Sequence, residues 1–324
     1  MIRLLYVNKT GQEDITAKTG SYRRSDNIDS LGMEFCFEMA YSQLDENFCS
    51  ELMLGGKVIL VNNDAIVFAG IIFKADKRLG SIAYTCFDYG IYLNKSEALI
   101  QFNKTSTSDA LRRLCQENNI PVGSICNIST VVSKIYNGDT LADIIKDLLN
   151  MAGNELAKNY RLEIRNNLLY IEKYEDLVLV VKNEDQNLGS FDVTKVIGDY
   201  SCSESIENMK NRIIVSSSNE KNTQILAQEE DSGSQNTFGL LTKVEKVDDK
   251  NQSQARNIAK NKLLELNKVT KTFSAELLGN DLVRSGRMLI FSQPELGLTG
   301  AYLVRACTHT YDGNKHLMRL ELEV

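Results

Sequence analysis

From Leu31 to Ala40 the chain alternates strictly: Leu31, Met33, Phe35, Phe37 and Met39 are large and apolar, while Gly32, Glu34, Cys36, Glu38 and Ala40 are small or charged. A period of two sends successive side chains to opposite faces, so this segment reads as a strand with one face in a core. The same grammar continues nearby. Lys57 to Val61 and Ile66 to Phe73 are apolar and β-branched, Asn62, Asn63 and Asp64 supply turn chemistry between them, and Ser81 to Asp88 extends the pattern. Residues 1–93 are therefore expected to form an antiparallel β unit.

Near Asn94 the period changes. Ser106 to Asn118 places Ala110, Leu111, Leu114 and Cys115 on one helical face, and Pro121 bars continuation. A second helix is expected from Thr140 to about Ala152, with Leu141, Ile144, Ile145, Leu148 and Leu149 on one stripe, Asp139 or Thr140 as cap and Gly153 at the C-terminal stop. Arg161 to Lys173 reads as a hairpin turning at Asn166 and Asn167. Residues 94–188 are thus read as a small α+β middle domain with two helices and a hairpin.

Strands return over residues 189–324: Asn211 to Val215, Gln224 to Ala227, Leu240 to Val247, Thr272 to Leu278, Met288 to Phe291, Tyr302 to Thr310 and His316 to Val324. One amphipathic helix, Ser253 to Asn267, interrupts them. The run Gln228, Glu229, Glu230, Asp231, Ser232, Gly233, Ser234, Gln235 and Asn236 is polar and contains glycine, so a mobile loop is expected there, and with it a partner-contact segment.

The two β-rich ends echo each other. Shifting the sequence by 230 residues aligns 25 positions without a gap: Leu52, Gly56, Lys57, Val58, Ile59, Leu60, Val61 and Gly70 fall on Leu282, Gly286, Arg287, Met288, Leu289, Ile290, Phe291 and Gly300. Duplication and plain strand-turn-strand grammar both account for the match. Two similar units per chain would let a ring of three present six, which docks a threefold object onto a sixfold one.

Several function classes are excluded or disfavoured. With 324 residues, 43% hydrophobic, 25% charged and only two prolines, the chain is long enough for two or three packed domains. A net charge of -6 gives no attraction to nucleic acid or an anionic bilayer, and Ala65 to Phe73, the longest strongly apolar run, is too short to span one. Positions 1 to 20 lack a signal-peptide core, so synthesis in the bacterial cytoplasm is expected. Seven cysteines, none in CxxC spacing, read as buried thiols. Lys77-Arg78 and Arg23-Arg24 read as surface charge.

No Gly-rich phosphate loop, GxSxG or HExxH is present, and carboxylate pairs such as Asp248-Asp249 and Glu229-Glu230 lie in solvated stretches that would not split their pKa values. No catalytic residue and no enzyme activity is expected. The only histidines, His309 and His316, flank the turn Tyr311-Asp312-Gly313-Asn314. If Thr310 pairs with Lys315, His309 lies opposite His316 with Cys307 on the same face, and these three are potential zinc ligands. That face runs on into Met318, Leu320 and Leu322, so a polar edge of the core is preferred and no metal or other cofactor is expected.

The run Lys57 to Asp64, Ile66 to Ile72, Tyr84 to Tyr89 and Tyr92-Leu93 resembles the N-terminal barrel of the baseplate hub proteins of contractile phage tails and tailocins. Phe102 to Ile120, with its Ser108-Asp109-Ala110-Leu111 helix start, resembles that family's inserted domain. Ser205 to Ile213, Leu298 to Val304, Thr308-His309 and His316 to Leu320 resemble its second barrel. The resemblance implies a β-rich α+β fold with two similar tail-tube-like antiparallel β-barrels flanking the middle domain. It also implies a homotrimer whose pseudo-hexameric ring joins the tail tube protein to the spike protein of the same particle, with no lysozyme segment of its own. A second reading rests on Gly138-Asp139-Thr140-Leu141, which looks like the start of a peptidoglycan-binding LysM module, although a helix cap followed by core leucines accounts for the same residues.

Overall fold

The computed structural model describes residues 2–9, 11–179, 182–185, 189–192, 196–217, 224–247, 254–313 and 315–323. Ser253, Asp248-Asp249, Asn314, Val324 and the expected domain boundary at residue 188 lie outside the described residues. The fold is β-rich, as the alternation demands.

The N-terminal unit holds β1 (Ile2–Asn8), β2 (Gly11–Asp14), β3 (Thr19–Asn27), β4 (Glu34–Ala40), β5 (Lys57–Asn62), β6 (Ala65–Arg78) and β7 (Ser81–Phe87), closed by the short helix α1 (Ile91–Lys95). Phe35, Phe37 and Met39 of β4 all point inward, where Phe35 packs on Phe68 at 4.9 Å and Phe37 on Tyr84 at 5.2 Å between ring centroids. Asn63 and Asp64 turn β5 into β6 at φ 48° and 62°, the left-handed pair that a two-residue hairpin turn needs. Gly70 is required by proximity: a Cβ there would sit 2.2 Å from the Phe87 carbonyl oxygen on the neighbouring strand.

The middle segment contains β8 (Glu97–Ser106), α2 (Thr107–Glu117), β9 (Val122–Ile125), β10 (Val131–Thr140), α3 (Leu141–Leu156), β11 (Tyr160–Arg165) and β12 (Leu168–Lys173). Both helices start where their caps stand: Ser106 Oγ accepts from Asp109 N, and Thr140 Oγ1 from Asp143 N. The helix stop differs from expectation, because α3 runs through Gly153 to Leu156 and ends on Ala157 at φ 51°. The apolar stripe of α3 continues past Gly153, so packing outweighs the glycine. Two pairings were not legible in the pattern, antiparallel β8–β10 and parallel β9–β12. The β11–β12 hairpin turns at Asn166 and Asn167, φ 48° and 68°.

The C-terminal third runs β13 (Val178–Leu179), β14 (Lys182–Asp185), β15 (Gly189–Asp192), β16 (Val196–Ser205), β17 (Arg212–Ser217), β18 (Ile225–Glu230), α4 (Ser232–Phe238), β19 (Thr242–Val247), α5 (Ala255–Leu266), β20 (Thr270–Leu278), β21 (Met288–Gln293), β22 (Leu298–Asp312) and β23 (Lys315–Glu323). Strands β18, β17 and β19 form a separate sheet covered by α5, with Ile213, Val215, Ala255, Ile258 and Ala259 as its core. This lobe sits in sequence between β16 and β20, which pair with each other. The expected loop Gln228 to Asn236 is instead the end of β18 followed by α4. Asp231 caps the helix, its Oδ1 accepting from Ser234 N, while its Oδ2 accepts from Asn267 Nδ2. Polar composition misled because a capped, hydrogen-bonded helix of seven residues buries nothing of its own.

The remaining strands join both ends of the chain. The path β16-β20-β23-β22-β3-β4-β7-β6-β5-β1-β2, with β13 and β21 alongside, makes one 13-stranded sheet. Its central joint is β22 against β3, from Ala306 opposite Asn27 to Tyr311 opposite Tyr22. Among the described residues of the single chain this path stays open at β16 and β2, and no closed barrel is present. The echoed segments are both hairpins, β5–β6 and β21–β22, but their registers differ. Val58 pairs with Gly70, whereas its counterpart Met288 pairs with Leu303 rather than Gly300.

Candidate functional site

Where β22 meets β3 the sheet buries polar side chains that the sequence pattern did not mark. Alternation along β3 leaves Arg23 exposed and turns Arg24 inward to 2% exposure, so the reading of this pair as surface charge holds only for Arg23. Arg24 Nη1 donates to Val67 O at 2.7 Å, and Nη2 lies 3.3 Å from Asp281 Oδ1. Asp281 is further held by Asn62 Nδ2 at 2.7 Å and by the Tyr311 hydroxyl.

The two histidines stand beside this carboxylate. The hairpin register differs from expectation by two positions: Lys315 pairs with Asp312 rather than Thr310, so Tyr311 faces His316 and His309 faces Met318. Gly313, at φ 55°, allows the ladder to run one pair further than a four-residue turn would. Even so, His309 Nδ1 reaches diagonally to His316 Nε2 at 2.9 Å. His309 Nε2 lies 2.9 Å from Val283 O, an obligate acceptor, so that nitrogen carries the proton and Nδ1 is left as a lone pair. Burial, reinforced by the Arg24 charge, holds His309 well below the usual imidazole range. Burial lowers His316 to about 4, against the opposing pull of Asp281. Both rings are neutral at pH 7.

The expected trio is therefore brought together only in part. Cys307 Sγ lies 3.1 Å from His309 Nε2, the nitrogen turned away from His316, whereas Asp281, His309 and His316 present ligand atoms all within 4.8 Å of one another. Asp281 lay beyond sequence reasoning because it is 28 residues upstream of His309.

A second polar layer lies along the strap that follows, Val283 to Arg287. Asp26 Oδ2 accepts from Ser285 N at 2.9 Å and from its hydroxyl at 2.8 Å, and Arg161 Nη2 donates to the same hydroxyl at 2.6 Å. Gly286, at φ 80°, leaves room for Arg161, whose Cδ is 2.6 Å from where a Cβ would stand. Arg287 grips Glu163 in bidentate fashion at 2.9 and 2.7 Å. Burial pushes the Glu163 carboxyl up, but Arg284, Arg287 and Arg165 overcome it and hold it at about 2. Asp88, at the end of β7, keeps a carboxyl raised to about 6, because burial outweighs the Arg284 charge and the backbone amides that favour its anion. The strap thus ties β3, the β11–β12 hairpin and the C-terminal strands into one joint. Its chemistry is fastening, by buried charges and hydrogen bonds, with Arg161 Nε and Arg284 Nε left without a hydrogen-bond partner among the described residues.

The segment Gln228 to Asn236, expected from the sequence to be a partner contact, lies apart from this joint, on the β17–β19 lobe. Its inner side chains serve the lobe itself, Ser234 Oγ donating to Asn267 Oδ1 at 2.6 Å and Glu229 pairing with Arg256 at 3.1 Å. The Gly138 to Leu141 segment is the end of β10 and the cap of α3, whose Leu141, Ile144, Ile145 and Leu148 are buried.

Comparison with known proteins places this architecture. The chain is 26% identical over 260 residues to the phage-like element PBSX protein XkdQ of Bacillus subtilis (strain 168), covering 79% of this chain and 77% of that one. Its fold matches the 43 kDa tail protein of prophage MuSo2 from Shewanella oneidensis with a TM-score of 0.68 at 11% identity, over 99% of this chain and 97% of that chain. It matches prophage tail protein gp18 from Listeria monocytogenes EGD-e with a TM-score of 0.66 at 13% identity, over 99% and 94% of the two chains. The fold is therefore that of phage tail proteins, and the peptidoglycan-binding alternative finds no support in these relatives. With a family model matching residues 24–323, nearly the whole described chain, this protein belongs to the YQBQ-like family.

Proposed function

We propose that this chain is a structural, non-enzymatic subunit of a phage tail baseplate or tailocin, and within it the hub: a homotrimer whose ring joins the tail tube to the spike. The observation that carries this reading is the β22–β3 joint, which makes both ends of the chain one continuous sheet with open edges at β16 and β2. A bare edge strand seeks a partner, and an edge of one copy pairing with the other edge of the next is a head-to-tail contact that closes into a ring when the rotation is one third of a turn. Each chain brings two hairpins of like topology, β5–β6 and β21–β22, so three chains offer six. In this reading residues 1–93 and 189–324 supply two tube-like units, closed into barrels only in the ring, and residues 94–188 stand outside them.

The charged strap suits such a part, because a joint under load during tail contraction is stiffened by buried, desolvated ion pairs such as Arg287 with Glu163. Among the described residues no helix is long and apolar enough to cross a membrane, in keeping with a particle component assembled from protein made in the bacterial cytoplasm. The outward side chains of Gln228 to Asn236 are a contact for a neighbouring baseplate protein. Light scattering on the purified 36.4 kDa chain, alone and mixed with spike protein from the same source, tests the hub. Three chains per particle, alone or with the spike, supports it; a monomer under both conditions refutes it. Replacing the exposed Gln228 and Asn236 with Ala leaves the chain folded and weakens assembly if the segment is a contact; unchanged assembly removes that assignment.

A further inference from the structure

We infer that Asp281, His309 and His316 form a binding site for one divalent transition-metal ion of zinc type, a staple across the joint between the two ends of the chain. The argument begins with the ring nitrogens. His309 Nδ1 and His316 Nε2 face each other at 2.9 Å, and Asp281 Oδ1 lies 3.9 Å from the latter. Two nitrogens bound at about 2.0–2.1 Å to a tetrahedral zinc stand about 3.3 Å apart, so a few tenths of an ångström of opening between the rings, with the carboxylate, which now lies within 4.8 Å of both, closing by up to about 1.5 Å through rotation of its side chain, would fit the ion. These three ligands leave a fourth position for water.

The surroundings are those of a ligand set. His309 donates its other N–H to Val283 O, which fixes the tautomer with Nδ1 free to ligate. The Asp281 carboxylate is oriented by Asn62, by the Tyr311 hydroxyl and by Arg24. The Tyr311 ring stacks on His316 at 4.2 Å and restrains its rotation. His316 Nε2 supplies the proton of the bond to His309 Nδ1, so it ligates as the other tautomer, with the proton on Nδ1, and metal binding exchanges that hydrogen bond for two metal–nitrogen bonds. Arg24 sets the limit on affinity: its charge beside Asp281 opposes a second cation, so binding is weaker than at a site of the same ligands without it. Because the chain has only two histidines, both here, histidine signals report on this site alone.

The test uses the full chain, purified without a histidine tag and stripped with chelator. It is titrated with Zn²⁺ and separately with Co²⁺, and bound metal is counted by elemental analysis after gel filtration. The expected result is one metal per chain, loss to background in His316→Asn, no loss in Cys307→Ser, and perturbation of both imidazoles in NMR spectra. The cobalt form should show tetrahedral d–d absorption without a thiolate charge-transfer band. Wild-type protein that retains no metal overturns the inference, as does metal retained equally by His316→Asn. A strong thiolate band also overturns it, by moving the site to Cys307, and this readout stands if the histidine variant fails to fold.

Discussion

Replacing Arg287 with Met tests whether the strap holds the joint. Glu163 is 3% exposed and Arg287 8%, and their two hydrogen bonds are among the chain's few fully desolvated charge contacts. The folded protein holds the Glu163 carboxyl at about 2 against an ordinary 4.5, a difference of about 2.5 units and hence ~3 kcal/mol at neutral pH. The folded value is depressed, so this stabilisation is fully present above about pH 4.5 and is lost as pH falls toward 2. Removing Arg287 leaves Glu163 buried with Arg284 and Arg165, the latter's Nε at 2.9 Å, as its remaining cations. Breaking a buried pair costs about 3–5 kcal/mol, and Arg284 and Arg165 keep the loss near the lower end, ~3 kcal/mol. Urea unfolding at pH 7 should show that loss for Arg287→Met. The double variant Glu163→Leu with Arg287→Met should lose less than the sum of the single changes, because no buried carboxylate is stranded and Arg165 keeps Glu172 as its partner. The gap between wild type and Arg287→Met should also shrink as pH falls below 4.5. An Arg287→Met protein within about 0.5 kcal/mol of wild type at pH 7 would refute the reasoning.

Asp88 gives the opposite pH dependence. Its folded value, about 6, is raised above the ordinary 3.8, so the cost of burying the anion is absent below about 4 and complete above about 6, ~3 kcal/mol in all. Asp88→Asn, which can still accept from Gly90 N, should be more stable than wild type at pH 7.5 and equal to it at pH 3.5; a loss at pH 7.5 contradicts this. Gly70→Ala should cost more than about 2 kcal/mol in chemical denaturation, since the nearest atom to its Cβ is backbone rather than a yielding side chain. Thr140→Ala should cost ~1 kcal/mol through the lost cap of α3, and retention of full thermal stability would mean the cap is redundant.

Local pattern sufficed wherever neighbours in sequence are neighbours in space. The alternation of β4, the Asn-Asp and Asn-Asn turns and the two capped helices were legible because each is decided within a few residues. The joint was not, because its partners are far apart: Asp26 and Ser285 are separated by 259 residues, Glu163 and Arg287 by 124. A buried charge on a strand reads as a surface charge until its counter-charge is placed, which is why Arg24 was taken for solvent. The histidines were legible as a pair through hairpin geometry, yet the register is shifted by two positions, and Asp281, far from the hairpin in sequence, rather than Cys307 has a ligand atom close to both rings. The lobe of β17 to β19 was read as strands of the second unit, since nothing in a strand's own pattern says which sheet it joins.

The pairing of β3 with β22 has a kinetic consequence. Tyr22 finds its partner only when Tyr311 exists, so the N-terminal strands emerge from the ribosome well before their sheet can be completed. Until then β3 offers an unsatisfied edge, and a nascent chain held there long enough can pair with another copy instead. Slowing synthesis between residues 40 and 298 should therefore raise the aggregated fraction, while a circular permutant that brings β22 and β3 close in sequence should fold faster from denaturant than the natural order.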